Sequence, residues 1–161
     1  MTTTTRSVAL GVGVALVIIA GVFGYQYFST MPAGERYTNE EYGFSFAVPE
    51  GFVVREIANV IVVDNEMGEG VQVVMTPIGE DILALTEERI RADIPDFVIE
   101  EPQVVEIEGG RKGLAFASDS EAFDGASREV WFVHSHNLYQ ISTYERSHTL
   151  LLSILGTWDF F

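Results

Sequence analysis

The chain has 161 residues, no cysteine and a formal net charge of −15, with 24 acidic residues against nine basic ones. Such an acidic chain repels phosphate backbones, and the missing thiols exclude disulfides, thiolate metal sites and a cysteine nucleophile. We therefore expect no nucleic-acid partner, and we expect stability to come from packing.

Residues 8–28 form an apolar run without a charged residue. As a helix, these 21 residues would be about 31 Å long, close to the ~30 Å hydrocarbon thickness of a bilayer. Arg6 is the only charged side chain before the run, and Glu35 and Glu40 follow it. By the positive-inside rule, residues 1–7 lie in the cytoplasm and the rest of the chain faces outward. The sequence predicts a single-pass protein of the cell membrane with an uncleaved signal anchor.

A cleaved signal peptide is the competing interpretation of the same run. Signal peptides have shorter apolar regions of about 7–15 residues, and this run is longer and closes with aromatic residues, which favours an anchor. Small residues recur four apart within it, at Gly11 and Ala15 and again at Ala20 and Gly24. This spacing lets two helices approach closely, so the span could also join two copies of the chain in a homo-oligomer.

Residues 29–36 form a short linker, and residues 37–161 have the size of one domain with a hydrophobic core. Alternation of apolar and polar side chains is clearest from Tyr42 to Val48, where it predicts a half-buried strand. Further strands are predicted over residues 52–57, 60–64 and 71–75. We expect these four segments to form an antiparallel meander.

A helix is predicted within residues 82–94. Thr86 is a favourable N-cap, Leu85 and Ile90 occupy the positions of a hydrophobic staple, and Pro95 ends the segment. Asp81 is the alternative N-cap, which would place residues 82–85 inside the helix.

Two hairpins and a closing helix are predicted in the second half of the domain. The first hairpin joins residues 104–108 and 112–117 through two glycines, and the second joins 128–134 and 138–145 around residues 135–137. Ser147 is the predicted N-cap of a helix that continues through Leu155, with Gly156 at its end. A terminal strand is expected over residues 158–161.

Three short segments of the domain resemble the PsbP-like family, named for an extrinsic protein of photosystem II. These are the opening strand with its YxNxxYGFSF and PxGF pattern over residues 37–52, the segment LYQISTY over residues 138–144, and ILGTWDF over residues 154–160. The resemblance covers the soluble domain in order. It implies an α+β fold in which an antiparallel sheet is flanked by helices, the PsbP-like α/β sandwich.

For function, the resemblance implies an accessory role outside the membrane. Members similar to this chain are often accessory or uncharacterised exported domains, and the photosynthetic members stabilise the oxygen-evolving centre. A retained membrane anchor and a strongly acidic surface both depart from the soluble lumenal protein.

His134 and His136 are the candidate metal ligands. Two histidines separated by one residue on an extended strand face the same side and can chelate zinc or copper. His148 or Glu145 would complete the site. Acidic residues in two predicted loops, 64–69 and 119–124, offer a weaker candidate for calcium, because Phe123 stands where the EF-hand pattern needs an oxygen ligand.

Aromatic pairs are the candidate partner-binding residues. Trp131 and Phe132 are neighbours on one strand, so they point to opposite faces of the sheet. Helices on both faces would bury both rings, whereas an exposed ring would mark a docking surface. The same two alternatives, burial under a covering layer or exposure as a docking surface, apply to Phe160 and Phe161 at the end of the domain.

The residues favour a non-catalytic binding or assembly module of an envelope protein complex, anchored in the membrane and facing outward. No nucleophile and base can be paired from the sequence, so we assign no catalytic residue and no cofactor. An extracytoplasmic metal or small-ligand binding protein is the alternative function. An envelope hydrolase is the third.

Overall fold

The computed structural model describes residues 34–161, apart from residues 80, 81 and 83. The predicted cytoplasmic tail, the apolar run of residues 8–28 and most of the linker lie outside the described residues. The same holds for the predicted helix-packing residues, Gly11, Ala15, Ala20 and Gly24. Within the described part of the chain, no helix is long and apolar enough to span a bilayer.

The described residues form ten strands and two α-helices. The strands are β1 (Arg36–Asn39), β2 (Phe44–Ala47), β3 (Val53–Ile57), β4 (Val60–Asp64), β5 (Gly70–Pro77), β6 (Glu100–Ile107), β7 (Arg111–Ser118), β8 (Ser127–His134), β9 (Asn137–Tyr144) and β10 (Asp159–Phe160). The helices are α1 (Glu87–Asp93) and α2 (His148–Leu155).

The strands form two antiparallel sheets. The large sheet has seven strands in the order β3-β4-β5-β9-β8-β7-β6, and the small sheet has three in the order β1-β2-β10. Each strand of the large sheet is paired to a chain neighbour, except where β5 lies beside β9 and thereby joins the first meander to the two later hairpins. The architecture is α+β, as predicted.

The small sheet and α2 cover one face of the large sheet. Phe44 and Phe46 of β2 point into this face, where Leu151 and Ile154 of α2 meet Tyr139 of β9, and all five side chains are fully buried. Aromatic rings fill much of the space between the layers. The main core of the domain therefore lies between the two sheets.

Helix α1 and the segment around it cover the opposite face. Ile90 of α1 is buried with Leu114 and Phe116 of β7, Trp131 of β8 and Leu138 of β9. Trp131 and Phe132 are 3% and 0% exposed, because each of the two faces to which they point has its own covering layer. Neither ring reaches the surface of this fold, which removes the predicted docking role of both.

The strand predictions agree with the structure except at the beginning of the domain. Residues 36–39 form a strand that the sequence analysis missed, and β2 pairs with it rather than with β3. The predicted four-strand meander is therefore wrong in its first member. A turn in which the Phe52 amide donates to the Pro49 carbonyl at 3.2 Å separates β2 from β3, and β2 packs across the large sheet instead of extending it.

Both helices differ in detail from the prediction. Thr86 caps α1 as expected, since its hydroxyl accepts a hydrogen bond from the Arg89 amide at 3.3 Å. Helix α1 begins at Glu87, and the described residues 82 and 84–86 are not helical, so the predicted helix starts later than residue 82. Ser147 makes no side-chain cap at α2, and its hydroxyl is buried with no hydrogen-bond partner among the described residues.

Candidate functional site

One corner of the domain brings together several of the residues that the sequence analysis selected. We call it the β10 corner and define it as Arg111, His134, Phe160 and Phe161. Arg111 begins β7, His134 ends β8, and the two phenylalanines belong to β10 and the residue after it. Strand β10 is held here by its antiparallel pairing with β2, in which Phe160 lies opposite Phe44.

Arg111 and His134 are joined by a direct hydrogen bond. The Arg111 Nε donates to His134 Nδ1 at 2.9 Å, so the neutral ring carries its proton on Nε2, which lies 3.1 Å from the Ser135 hydroxyl. Burial lowers the pKa of His134, and the adjacent Arg111 guanidinium lowers it further. Both effects keep the imidazole neutral at pH 7, and both of its nitrogens are already hydrogen-bonded.

Phe160 contacts both of these side chains. The Arg111 guanidinium carbon is 4.5 Å from the centre of the Phe160 ring, a cation–π contact, and the His134 ring centre is 4.1 Å away. Beneath it, Phe132 and Tyr139 make edge-to-face contacts at 6.0 and 5.8 Å. Burial raises the pKa of Tyr139 to about 12, so its hydroxyl stays protonated.

Phe161 is the exposed member of the corner. Its backbone amide donates to the Gly43 carbonyl at 3.0 Å, which extends the pairing of β10 with β2 by one bond. Its side chain is 69% exposed, whereas the neighbouring Phe160 is half-buried against Arg111. An exposed ring on a fixed backbone is a typical protein-contact element.

The structure does not form the predicted pair of histidine ligands on one strand face. Strand β8 ends at His134, and His136 lies with Ser135 in a two-residue turn where both have positive φ, 46° and 61°. The alternation of an extended strand therefore stops before His136. Glu145, a proposed third ligand, accepts a hydrogen bond from Arg128 at 2.7 Å. Of the residues that the structure describes, no three His, Asp or Glu side chains converge on a possible metal position.

The sequence analysis missed two residues that matter here. Arg111 was not selected, although an arginine at the end of a predicted hairpin is a reasonable partner for aromatic neighbours. Glu129 was also missed, and it is a buried carboxylate in the middle of β8. The signal for Glu129 was present, since it stands at a position that alternation assigns to the same face as Trp131.

The fold can be compared with solved structures. The solution structure of cyanobacterial PsbP (CyanoP) from Synechocystis sp. PCC 6803 is similar to this chain with a TM-score of 0.53, and the match covers 88% of this chain and 100% of that one. The domain has the PsbP-like fold. This confirms the fold that the three short segments implied. The two sequences are 13% identical, a level at which the likeness is one of fold.

The match is visible in structure rather than in sequence. No family model matches this chain, and no curated protein matches it. The PsbP-like fold is therefore formed here at low sequence identity, around a core that includes the buried Phe44, Phe46 and Trp158.

The β10 corner is equipped for binding rather than for proton transfer. The imidazole of His134 is occupied by Arg111, and the guanidinium of Arg111 faces an aromatic ring and the Glu108 carbonyl, which accepts from it at 2.9 Å. What the corner offers to a second molecule is an exposed ring on a rigid backbone, close to a guanidinium that is paired with the Glu108 carboxylate at 3.7 Å. Such a surface suits a partner with an apolar side chain beside an acidic group.

Proposed function

We propose that the chain is a non-catalytic binding or assembly module of an envelope protein complex, with its PsbP-like domain on the outer side of the membrane. The observation that carries this proposal is the PsbP-like fold, with a TM-score of 0.53 to cyanobacterial PsbP. The fold supports an accessory, protein-contacting role, because that is the role the family resemblance implies. The domain then acts by holding other components.

The proposed localisation rests on the apolar run and on charge. Residues 8–28 have the length and composition of a membrane span, and the linker that follows is short. Arg6 lies two residues before the run, whereas the first basic residue after it, Arg36, is eight residues away, and this asymmetry favours a cytoplasmic amino end under the positive-inside rule. The partners in this proposal are membrane or envelope proteins.

The β10 corner is the proposed contact surface for those partners. It combines an exposed ring, Phe161, which backbone hydrogen bonds hold against β2, with the guanidinium of Arg111 on β7, which contacts the neighbouring Phe160. The turn between β4 and β5 lies at the opposite end of the strands of the large sheet. It contains Met67, whose 80% exposure is the highest of the large apolar residues that the structure describes. Exposure alone therefore does not show which of the two sites contacts a partner. An experiment that compares the two sites directly does.

Site-specific photocrosslinking in native membranes makes that comparison. The full-length chain carries a photoreactive phenylalanine analogue at position 161, or at position 67 as the matched control. We expect discrete adducts with an envelope protein from position 161 and none from position 67, because only the β10 corner is proposed to contact the partner. Equal labelling from both positions, or no adduct from position 161, would refute this assignment of the contact surface.

A further inference from the structure

The two helices that cover the large sheet have different outer surfaces. Helix α1 carries acidic and basic residues together, with salt bridges from Arg89 to Asp93 and from Arg91 to Glu87. Helix α2 and its flanks, residues 146–158, contain no acidic residue in a domain with a net charge of −16. The exposed residues of α2 are neutral or a histidine, and include Leu152, which is 52% exposed. The outer surface of α2 thus lacks the acidic side chains that are frequent in the rest of the domain.

The end of α2 lies where the chain enters the domain. Arg36, two residues after the first described residue, donates from its guanidinium to the Thr157 carbonyl at 3.0 Å. The Thr157 hydroxyl in turn accepts from the Ala47 amide at 3.0 Å. These two bonds fix the C-terminal end of α2 against β1 and β2, beside residue 34.

The linker restricts which side of the domain can lie near a membrane. The six peptide units from Phe28 to Gly34 extend over about 20 Å at most. A compact domain of 125 residues has a radius of gyration of about 14 Å, so it is roughly 35 Å across. Because the linker is shorter than the domain is wide, an anchor over residues 8–28 would hold the side that contains Arg36 and α2 nearest the bilayer.

We infer that the outer surface of α2 rests on the lipid headgroups of the membrane that anchors the chain. The inference rests on the proposed membrane anchor and adds the orientation of the domain. Charge is the physical reason, since phosphate groups repel acidic surfaces and residues 146–158 contribute no acidic side chain of their own. Arg36 adds positive charge at the C-terminal end of α2, whereas Arg146, at the other end, is paired with the exposed Asp124 at 3.4 Å. Leu152 supplies an apolar contact at the headgroup level.

A single-cysteine labelling experiment tests this orientation, because the natural chain has no cysteine. Leu152→Cys places a fluorophore on the outer surface of α2, and Ala92→Cys places the same fluorophore on the exposed surface of α1, beyond the opposite face of the large sheet. The full-length variants are reconstituted in phosphatidylcholine–phosphatidylglycerol vesicles that contain a headgroup nitroxide lipid. We expect the label at position 152 to lose most of its fluorescence and the label at position 92 to keep it.

The outcomes separate this inference from the membrane anchor itself. Failure of the protein to float with the vesicles would refute the anchor. Flotation with equal fluorescence at both positions would leave the anchor in place and overturn the orientation. Disulfide-linked dimers of the unlabelled Leu152→Cys protein, together with an unquenched label at this position, would assign the surface to a second copy of the chain and also overturn it. Ser153→Cys, on the same exposed surface, serves if Leu152→Cys does not fold.

Discussion

Glu129 is a buried carboxylate with three hydrogen-bond donors on its own face of the large sheet. The Ser127 hydroxyl donates to Oε1 at 2.6 Å, while the Ser142 hydroxyl and the Trp131 indole donate to Oε2 at 2.5 and 3.1 Å. Burial raises the pKa of Glu129, although these hydrogen bonds lower it in part. The carboxyl group therefore joins β8 to β9 through its hydrogen bonds, while its burial disfavours the ionised form.

Glu129→Gln is expected to raise stability at neutral pH. The unfolded chain ionises near the ordinary value of 4.5 and the folded one at a higher pH, so stability is lost as pH rises through this interval. Glutamine keeps an acceptor for Trp131 and a donor for Ser127 without the charge. Thermal unfolding from pH 4 to pH 8 should show the midpoint of the variant rising above that of the wild type as pH increases. A constant difference across this range would contradict the pKa direction.

Glu129→Ala is the control for the hydrogen bonds. It removes the charge as well, but it leaves Trp131 Nε1 and two hydroxyls without their acceptor, at about 1–3 kcal/mol for each group that stays buried and unpaired. We expect it to be less stable than both the wild type and Glu129→Gln at every pH.

At the scale of residues, the sequence predicted the sheet face on which a side chain lies better than it predicted which other groups that side chain contacts. Alternation correctly placed Trp131 and Phe132 on opposite faces, but it could not show that both faces are covered, because the covering layers come from distant parts of the chain. The histidine pair failed for a local reason, since a two-residue turn begins directly after His134. The Arg111–His134 hydrogen bond joins positions 23 residues apart, and no local pattern encodes it.

At the scale of elements, β10 depends on a close approach to Gly43. This glycine has φ of +66°, and a Cβ atom at this position would lie 2.9 Å from the Phe161 carbonyl oxygen. Gly51 has φ of +80° and nothing within 4 Å of such a Cβ. The two glycines share the positive φ and differ in whether a strand passes beside them.

Gly43→Ala should therefore destabilise the domain more than Gly51→Ala. Both substitutions impose the left-handed backbone on alanine, at about 1–2 kcal/mol, and only the first also displaces β10, with a penalty of about 1–3 kcal/mol. Chemical denaturation measures the difference in unfolding free energy. Hydrogen exchange at the Phe161 amide should accelerate in Gly43→Ala alone, and equal effects of the two substitutions would contradict the close approach.

Strands were the most predictable elements. Period-2 alternation and the glycine pair at 109–110, where both residues have φ of +74°, fixed the hairpins of the large sheet. The small sheet was not predictable in this way, because β1 and β10 are short and are joined through β2 from opposite ends of the domain. The end of α1 followed from Pro95 and its start from the Thr86 cap, which are local signals.

At the scale of the whole molecule, packing and charge describe a domain with distinct sides. The β10 corner and the outer surface of α2 lie on the side of the large sheet that the small sheet covers, and the charged helix α1 lies on the other. A module built in this way can rest on a bilayer through α2 and present Phe161 to a neighbouring protein. Charge patterning and the apolar run were readable from the sequence, whereas the placement of α2 beside residue 34 required the fold.

The central claim is that the chain is a membrane-anchored binding module, and the state of the full-length protein in native membranes tests it most directly. Membranes are washed at alkaline pH, solubilised in mild detergent and resolved by native electrophoresis, for the wild type and for Phe161→Ala. The account predicts that both proteins remain in the washed membranes, that the wild type migrates in a complex larger than the monomer, and that Phe161→Ala is largely released from it. A wild-type protein that washes off the membrane, or that migrates only as a monomer, would contradict the account.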